Sequence, residues 1–344
     1  LPGSLDRPTG GTRYDRRIVA ELCGLGFSVE VASLATAFPM PSADDLAAAE
    51  TMIAGQPAGV PVIIDGLAFG VMADAAARLA TTRPLIALVH HPLALETGLT
   101  REMTDFFRMA EQDALRHAAA IVVTSPAMRK LLVKDYDVPA SRIHVAPPGV
   151  DMVEAPIPRI NCTPVRFLTV GSLIPRKGHG DLVEAFAAIR DLDWQAEIVG
   201  DATMDPALAS GLARQIADCG LQDRVRLTGA IGEAALAQRY AAADCFVLAS
   251  RYEGYGMAYM EALAAGLPVI GTTGAAEAIG RGGAMVVPGD VDGLAALLRD
   301  FVTNPDARAG YRARALERAD ELPRWRDAAH VIADVVIALT SNPA

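Results

Sequence analysis

The stretch VRFLTVGSLIPRKGHGDLVEAF, residues 165–186, changes its hydrophobic period halfway along. An apolar, strand-like run ends at Val170-Gly171, a short loop follows, and apolar residues then recur at helical spacing from Leu182. Strand, loop and amphipathic helix in that order form the repeating unit of α/β sheets. The loop carries two cations, Arg176 and Lys177. In open α/β sheets the carboxyl end of a strand is where ligands bind. A planar guanidinium fork beside a point charge suits a diphosphate, although exposed basic turns are common too.

The same rhythm runs in both directions from this stretch. Towards the amino end the strand candidates are FSVEVAS (27–33), PVIID (61–65), PLIALVH (84–90), AIVVTS (120–125) and RIHVA (142–146), with helical stretches between them. Towards the carboxyl end they are WQAEIVG (194–200), RVRLTG (224–229), DCFVLAS (244–250), LPVIGT (267–272) and AMVVPG (284–289). A proline-rich stretch, 146–164, interrupts the alternation and marks a domain boundary. The expected class is α/β, with two doubly wound parallel-sheet domains, 1–150 and 151–323, facing across a cleft, and a closing helical tail, 324–344. The opening LPGSLDRP reads like the end of a strand entering a loop. The first strand of the first domain is therefore expected to be incomplete and residues upstream of Leu1 to be missing.

The 344 residues are 51% hydrophobic and carry a net charge of −10. Residues 1–150 hold 13 basic and 16 acidic side chains and the remainder 18 and 25, so neither half suits a nucleic-acid backbone. No apolar run reaches the ~20 residues that span a bilayer. The first residues lack the charged and apolar regions of a signal peptide, which points to the cytoplasm. The four cysteines, at 23, 162, 219 and 245, show no metal-like spacing and read as buried free thiols in a reducing compartment. The sequon Asn161-Cys162-Thr163 is then coincidental. Three D-x-D pairs fall at helix ends or before a strand, Asp290 reading as a helix N-cap, and none is placed to hold a divalent ion. G-x-S-x-G and the phosphate loop G-x-x-x-x-G-K-[ST] are both absent.

Further chemistry gathers at other strand tips. In SRYEGYGMAYMEALAAG (250–266), Glu253 follows the strand 244–250, and Gly254, Tyr255 and Gly256 lead into a helix from Met257, with Gly266 as its cap. Glycines there let a backbone approach a ligand and leave helix-start N–H groups for an anion. Glu261 lies on the same helix among apolar neighbours and needs a partner. The alternative for both acids is ordinary solvated surface. His90 and His91 end the strand 84–90; with no further His or Cys nearby, a hydrogen-bonding His90 is a better reading than zinc. Glu96 and Arg13 are weaker candidates for an acceptor, and Arg13, Arg16 and Arg17 equally read as solvated helix charge. Gly10-Gly11 before a helix is a possible phosphate-facing loop.

Taken together, these motifs resemble the retaining, nucleotide-sugar-dependent glycosyltransferases of family four, also called group 1, which have the GT-B fold of two Rossmann-like domains. The resemblance spans nearly the whole chain and is strongest over 165–290. Its specific mark is E-x7-E, Glu253 and Glu261 in EGYGMAYME, supported by GSLIPRKGH, VRLTGAI, LPVIGTTGAAEAIG and MVVPGD in order and spacing. The resemblance implies that Glu253 meets donor-sugar hydroxyls and Glu261 the ribose. It gives Arg176 and Lys177 the diphosphate, and the amides of Gly254 to Met257 the sugar or phosphate oxygens. It places Gly229 to Ile231 at the base, His90 at the transferred sugar, and Gly10-Gly11 near the phosphates. The tail helix would cross back to the first domain. Ser172 stands where many members carry arginine, and GAAEAIG replaces the commoner GGxPE, which leaves Glu277 in place.

The expected reaction moves a sugar from a nucleoside diphosphate to an acceptor hydroxyl with retention, without a metal or other cofactor. The alternatives are a non-catalytic nucleotide-sugar-binding protein or a nucleotide-sugar epimerase on the same fold. Peripheral contact with the inner face of the membrane stays open, as do the donor base and the acceptor.

Overall fold

In the computed structural model, which describes residues 1–7, 9–96, 98–151 and 163–341, the chain forms two compact units. The first comprises Leu1–Gly149 with Pro323–Ala344, and the second Val150–Leu322. Cys162 and most of the proline-rich stretch lie outside the described residues.

The first unit contains α1 (Gly10–Gly24), α2 (Ala43–Ala54), β1 (Val62–Asp65), α3 (Gly66–Phe69), α4 (Ala73–Leu79), β2 (Leu85–Val89), α5 (Arg101–Leu115), β3 (Ala120–Val123), α6 (Pro126–Asp135) and β4 (Ile143–Val145). Its sheet is parallel in the order β1-β2-β3-β4. Every residue of β2 and β3 is buried, the mark of strands covered on both faces. The helix starts follow their sequences. Thr9 caps α1 by accepting from Thr12 N–H, and Ser125 caps α6, with Pro126 in its first turn.

Residues 27–33 do not form the expected strand. A strand needs a ladder, and among the described residues this segment meets the backbone of Leu1–Gly3 without forming one. That contact amounts to one bridge, Pro2 to Leu34, and hydrogen bonds such as Leu34 N–H to Leu1 O at 2.8 Å. Alternating side chains without paired backbone do not make a sheet.

The second unit runs β5 (Val165–Val170), α7 (His179–Ala187), β6 (Trp194–Val199), α8 (Pro206–Asp218), β7 (Val225–Gly229), α9 (Glu233–Ala242), β8 (Cys245–Val247), α10 (Met257–Ala264), β9 (Val269–Thr272), α11 (Ala276–Ile279), β10 (Gly283–Val286), α12 (Val291–Thr303) and α13 (Pro305–Asp320). The parallel order is β7-β6-β5-β8-β9-β10. Alternate residues of one strand feed two separate cores. Phe167, Cys245 and Val247 pack with Phe186, Trp194 and Leu298, while Leu168, Phe246 and Leu248 pack with Tyr259, Met260 and Leu263. Phe186 stacks on Trp194 at 4.7 Å. A period of two, apolar on both faces, is what a doubly wound sheet requires. The direction of chain progression reverses between β5 and β8. That switch point opens a crevice at the carboxyl ends of the strands.

The last helix, α14 (Trp325–Ser341), belongs to the first unit, where it packs on α1 and β4. Gly149 admits it: a Cβ there would stand 1.9 Å from the Trp325 backbone nitrogen. Gly149→Ala should therefore destabilise by about 1–3 kcal/mol through overpacking against backbone. Urea denaturation measures this, and an unchanged midpoint would contradict the close approach.

Candidate active site

Three loops meet at the carboxyl ends of β5, β8 and β9, neighbours in the sheet of the second unit. The loop after β5 makes a 3-10 turn, Pro175–Lys177, and enters α7 through Gly178 at φ +65°. A Cβ on Gly178 would lie 2.1 Å from Ala249 O, so only glycine lets this loop press on the end of β8. Backbone bonds stitch the loops together: Arg251 N–H donates to Arg176 O at 2.8 Å, and Glu253 N–H to Gly274 O at 3.0 Å. The Thr272 hydroxyl donates to Ser250 O.

Glu253 sits at the centre. Lys177 Nζ reaches its Oε1 at 2.7 Å and Arg176 Nη1 its Oε2 at 3.1 Å, with Arg176 also donating to Tyr252 O at 3.1 Å. The Ser250 hydroxyl donates to Oε1 at 2.6 Å. The Glu253 side chain is only 6% exposed, against 17% for Arg176 and 14% for Lys177. Burial alone would raise its pKa; Lys177 and Arg176 outweigh that and hold the carboxyl below its ordinary value of 4.5. Within this trio two cations share one acid.

Gly256 caps the start of α10 at φ +104° and, having no side chain, makes no side-chain cap bond to the first-turn N–H groups. Gly254 and Tyr255 are half-buried in the approach to it. Glu261 finds its partner in Tyr240 of α9, whose hydroxyl donates to Oε2 at 3.0 Å. Gly229 ends β7 at φ +75° with open space where a Cβ would be, and Ile231 packs at the edge of the core beneath it.

In the first unit, His90 follows β2 directly and is flanked by two acids. Its Nε2 lies 2.9 Å from Asp15 Oδ1 on α1 and 3.6 Å from Asp65 Oδ2 at the end of β1. The ring of Tyr14 stands edge-on to it at 5.1 Å. Gly10 and Gly11 are not a turn ahead of a helix but the first residues of α1, because Thr9 takes the capping position. Gly11 lies beside the ring, where a Cβ would come to 3.5 Å from His90 Cδ2, an ordinary van der Waals distance. Burial disfavours the charged imidazole, yet Asp15 and then Asp65 outweigh it, and the His90 pKa rises to about 9. One donor atom each from Asp15, Asp65 and His90 lie within 4.8 Å of one another. The 2.9 Å hydrogen bond closes this group on itself, so a divalent ion would have to displace the shared proton.

Glu96 faces His91 at 4.0 Å, not His90, and Arg13 lies half-buried on α1. Asp290 caps α12 as expected, accepting from Gly293 N–H at 2.9 Å. Cys245 is buried, but Cys23 is exposed and Cys219 half-buried, because both lie at helix ends instead of inside the sheet. Among the described residues, no helix is long and apolar enough to cross a membrane.

Comparison with known proteins follows the same division. Residues 62–154 match the family described as Glycosyltransferase Family 4, and residues 164–304 that described as Glycosyl transferases group 1. The chain is 27% identical over 311 residues to an MMP alpha-(1->4)-mannosyltransferase of Mycolicibacterium hassiacum, covering 85% of this chain and 74% of that protein. It is 29% identical over 240 residues to a D-inositol 3-phosphate glycosyltransferase of Kineococcus radiotolerans, covering 61% and 55%. Among solved structures, sucrose-phosphate synthase from Thermosynechococcus elongatus superposes with a TM-score of 0.79 at 20% identity, over 97% of this chain and 94% of that one. HepE of Anabaena, solved with UDP and glucose, gives 0.73 at 20% identity over 98% of each. At such identities the structural likeness speaks for the fold, α/β with two Rossmann-like domains of the GT-B class.

The geometry of the Glu253 cluster fixes a pH signature. A carboxyl whose folded pKa lies below its unfolded value adds stability above the unfolded value, and that contribution is lost as pH falls through the folded one. Lys177→Ala should cost about 3 kcal/mol at pH 7, as for breaking a buried pair, and the deficit should shrink as pH falls below 4.5. Urea denaturation at pH 7 and pH 4 measures both; a deficit independent of pH would contradict the charge argument.

Proposed function

We propose, from the premise that this chain belongs to the group 1 glycosyl transferases of family four, that it moves a sugar from a nucleoside-diphosphate sugar to an acceptor hydroxyl with retention and without a metal. The observation that carries this reading is the meeting of Glu253 with Arg176 and Lys177 at the switch point of the second unit. Breaking an anomeric bond to a diphosphate builds negative charge on the leaving oxygen. A pair of cations already gathered there, with the start of α10, which has no side-chain cap, nearby in sequence, is suited to that charge.

In this mechanism Arg176 and Lys177 turn part of their hydrogen bonding from Glu253 to phosphate oxygens, and the freed carboxylate accepts from sugar hydroxyls. Glu261, oriented by Tyr240, is assigned to the ribose, and Gly229 to Ile231 to the base. Gly254, Tyr255, Gly256 and Met257 supply backbone N–H groups. His90 is assigned to the transferred sugar and Gly10-Gly11 to the phosphate side. The departing phosphate takes the acceptor's proton on the face it leaves, so no separate protein base is needed. The two cations do the electrostatic work that a divalent ion does in other transferases, which is the ground for metal independence. The acceptor hydroxyl is assigned to the first unit, with Arg13 and Glu96 as its polar contacts. A cytoplasmic site of action fits the free thiols of Cys23, Cys219 and Cys245.

Nucleoside diphosphate release, measured with a panel of donors and acceptors, tests the reading. Lys177→Ala and Glu253→Gln should each lower turnover ~10²–10³-fold. Product NMR should show the donor's anomeric configuration retained, and EDTA should leave the rate unchanged. Donor binding without any transfer would instead identify a sensor, and an inverted product would refute retention.

A further inference from the structure

The pairing of His90 with Asp15 and Asp65 has no place in the family motifs above, and it limits what His90 can do. Asp15 is 7% exposed; one of its oxygens bonds His90 and the other, Oδ2, is buried with no hydrogen-bond partner among the described residues. A carboxylate so placed is strongly disfavoured unless its partner carries the opposite charge. Asp65, 8% exposed, spends Oδ1 on Leu67 N–H at 2.8 Å and turns Oδ2 towards the same imidazole nitrogen. Tyr14, whose hydroxyl donates to Ala146 O at 2.8 Å, stands edge-on to the ring and holds it in place. Thr124 hydroxyl reaches the His90 carbonyl at 3.4 Å. Among the described residues the charges acting on His90 are the two carboxylates, and Tyr14 stays protonated.

We infer that Asp15 and Asp65 are positioning residues that keep His90 a fixed imidazolium, so that it serves as an N–H donor to an oxygen of the sugar substrate and not as a proton acceptor. Nε2–H is committed to Asp15, and Nδ1 has no hydrogen-bond partner among the described residues, on a ring 20% exposed. No proton is transferred in this role; His90 donates a hydrogen bond through Nδ1–H while the acceptor's proton leaves by another path. The inference rests on the sugar-transfer reading for the identity of the oxygen, but the charge of His90 is measurable without any substrate.

The test is a nitrogen-15 NMR titration of the full chain labelled at histidine, with His90→Gln assigning the resonance. Wild type should titrate well above the ordinary 6.5. Asp15→Asn should lower that midpoint by about one unit or more, and Asp65→Asn by less. In kinetics, the alkaline limb of kcat/KM should move to lower pH in Asp15→Asn, with most activity recovered near pH 6, where an unassisted imidazole is charged. Asp15→Glu should restore part of the wild-type profile. A wild-type His90 that titrates near 6.5 overturns the inference, as does an unmoved midpoint in both asparagine variants. So does an equivalent of tightly held divalent metal that EDTA removes. A correct titration with no transferase activity would leave the charge assignment standing and count against the sugar-transfer reading alone.

Discussion

Burying one carboxylate between two cations is the constraint from which the rest of the second unit follows. Glu253 could not be nearly inaccessible at the end of β8 unless the loop after β5 delivered Arg176 and Lys177 to it. That delivery requires β5 and β8 to be neighbours, which the strand order provides at its point of reversal. It also requires glycine at 178, because the loop presses against the backbone of β8. Sheet topology, one left-handed backbone position and an ion cluster are three views of one arrangement.

The first unit solves a related problem with the signs reversed. There a single imidazole lies between two acids, again at strand tips, with Asp65 ending β1 and His90 following β2. Each unit thus places charged groups where a parallel sheet leaves its strand ends open, and lets opposite charge hold them there. In both cases the ion contacts within the chain fix the orientation of the charged groups at the strand ends.

Much of this is legible in the sequence, for reasons that differ by residue. Glu253, Arg176 and Lys177 sit in short loops directly after strongly apolar strands, so local pattern alone puts them at strand tips. The acids around His90 escape such a reading because their meeting depends on contacts of 75 residues in sequence separation for Asp15. The hint was present, since Asp15 follows Gly10-Gly11 and Asp65 closes an apolar strand, but no period links them. Tyr240 is a further case: a helix position predicts that it is buried, not that its hydroxyl meets Glu261. Residues 27–33 mislead in the opposite way, showing strand-like alternation that forms no ladder among the described residues. Pattern reports a residue's own preferences, whereas pairing is a property of two segments.

The placement of α14 bears on the order in which the protein is made. The second unit is one continuous span, Val150–Leu322, whereas the first draws on both ends of the chain. On the ribosome, the later half can therefore acquire its full set of partners first. The sheet that emerges first must wait for Trp325, whose ring meets Tyr14 at 5.9 Å. Until that tryptophan leaves the exit tunnel, the nascent amino-terminal half exposes the apolar face that α14 will cover, and that interval is when a chaperone would have its substrate.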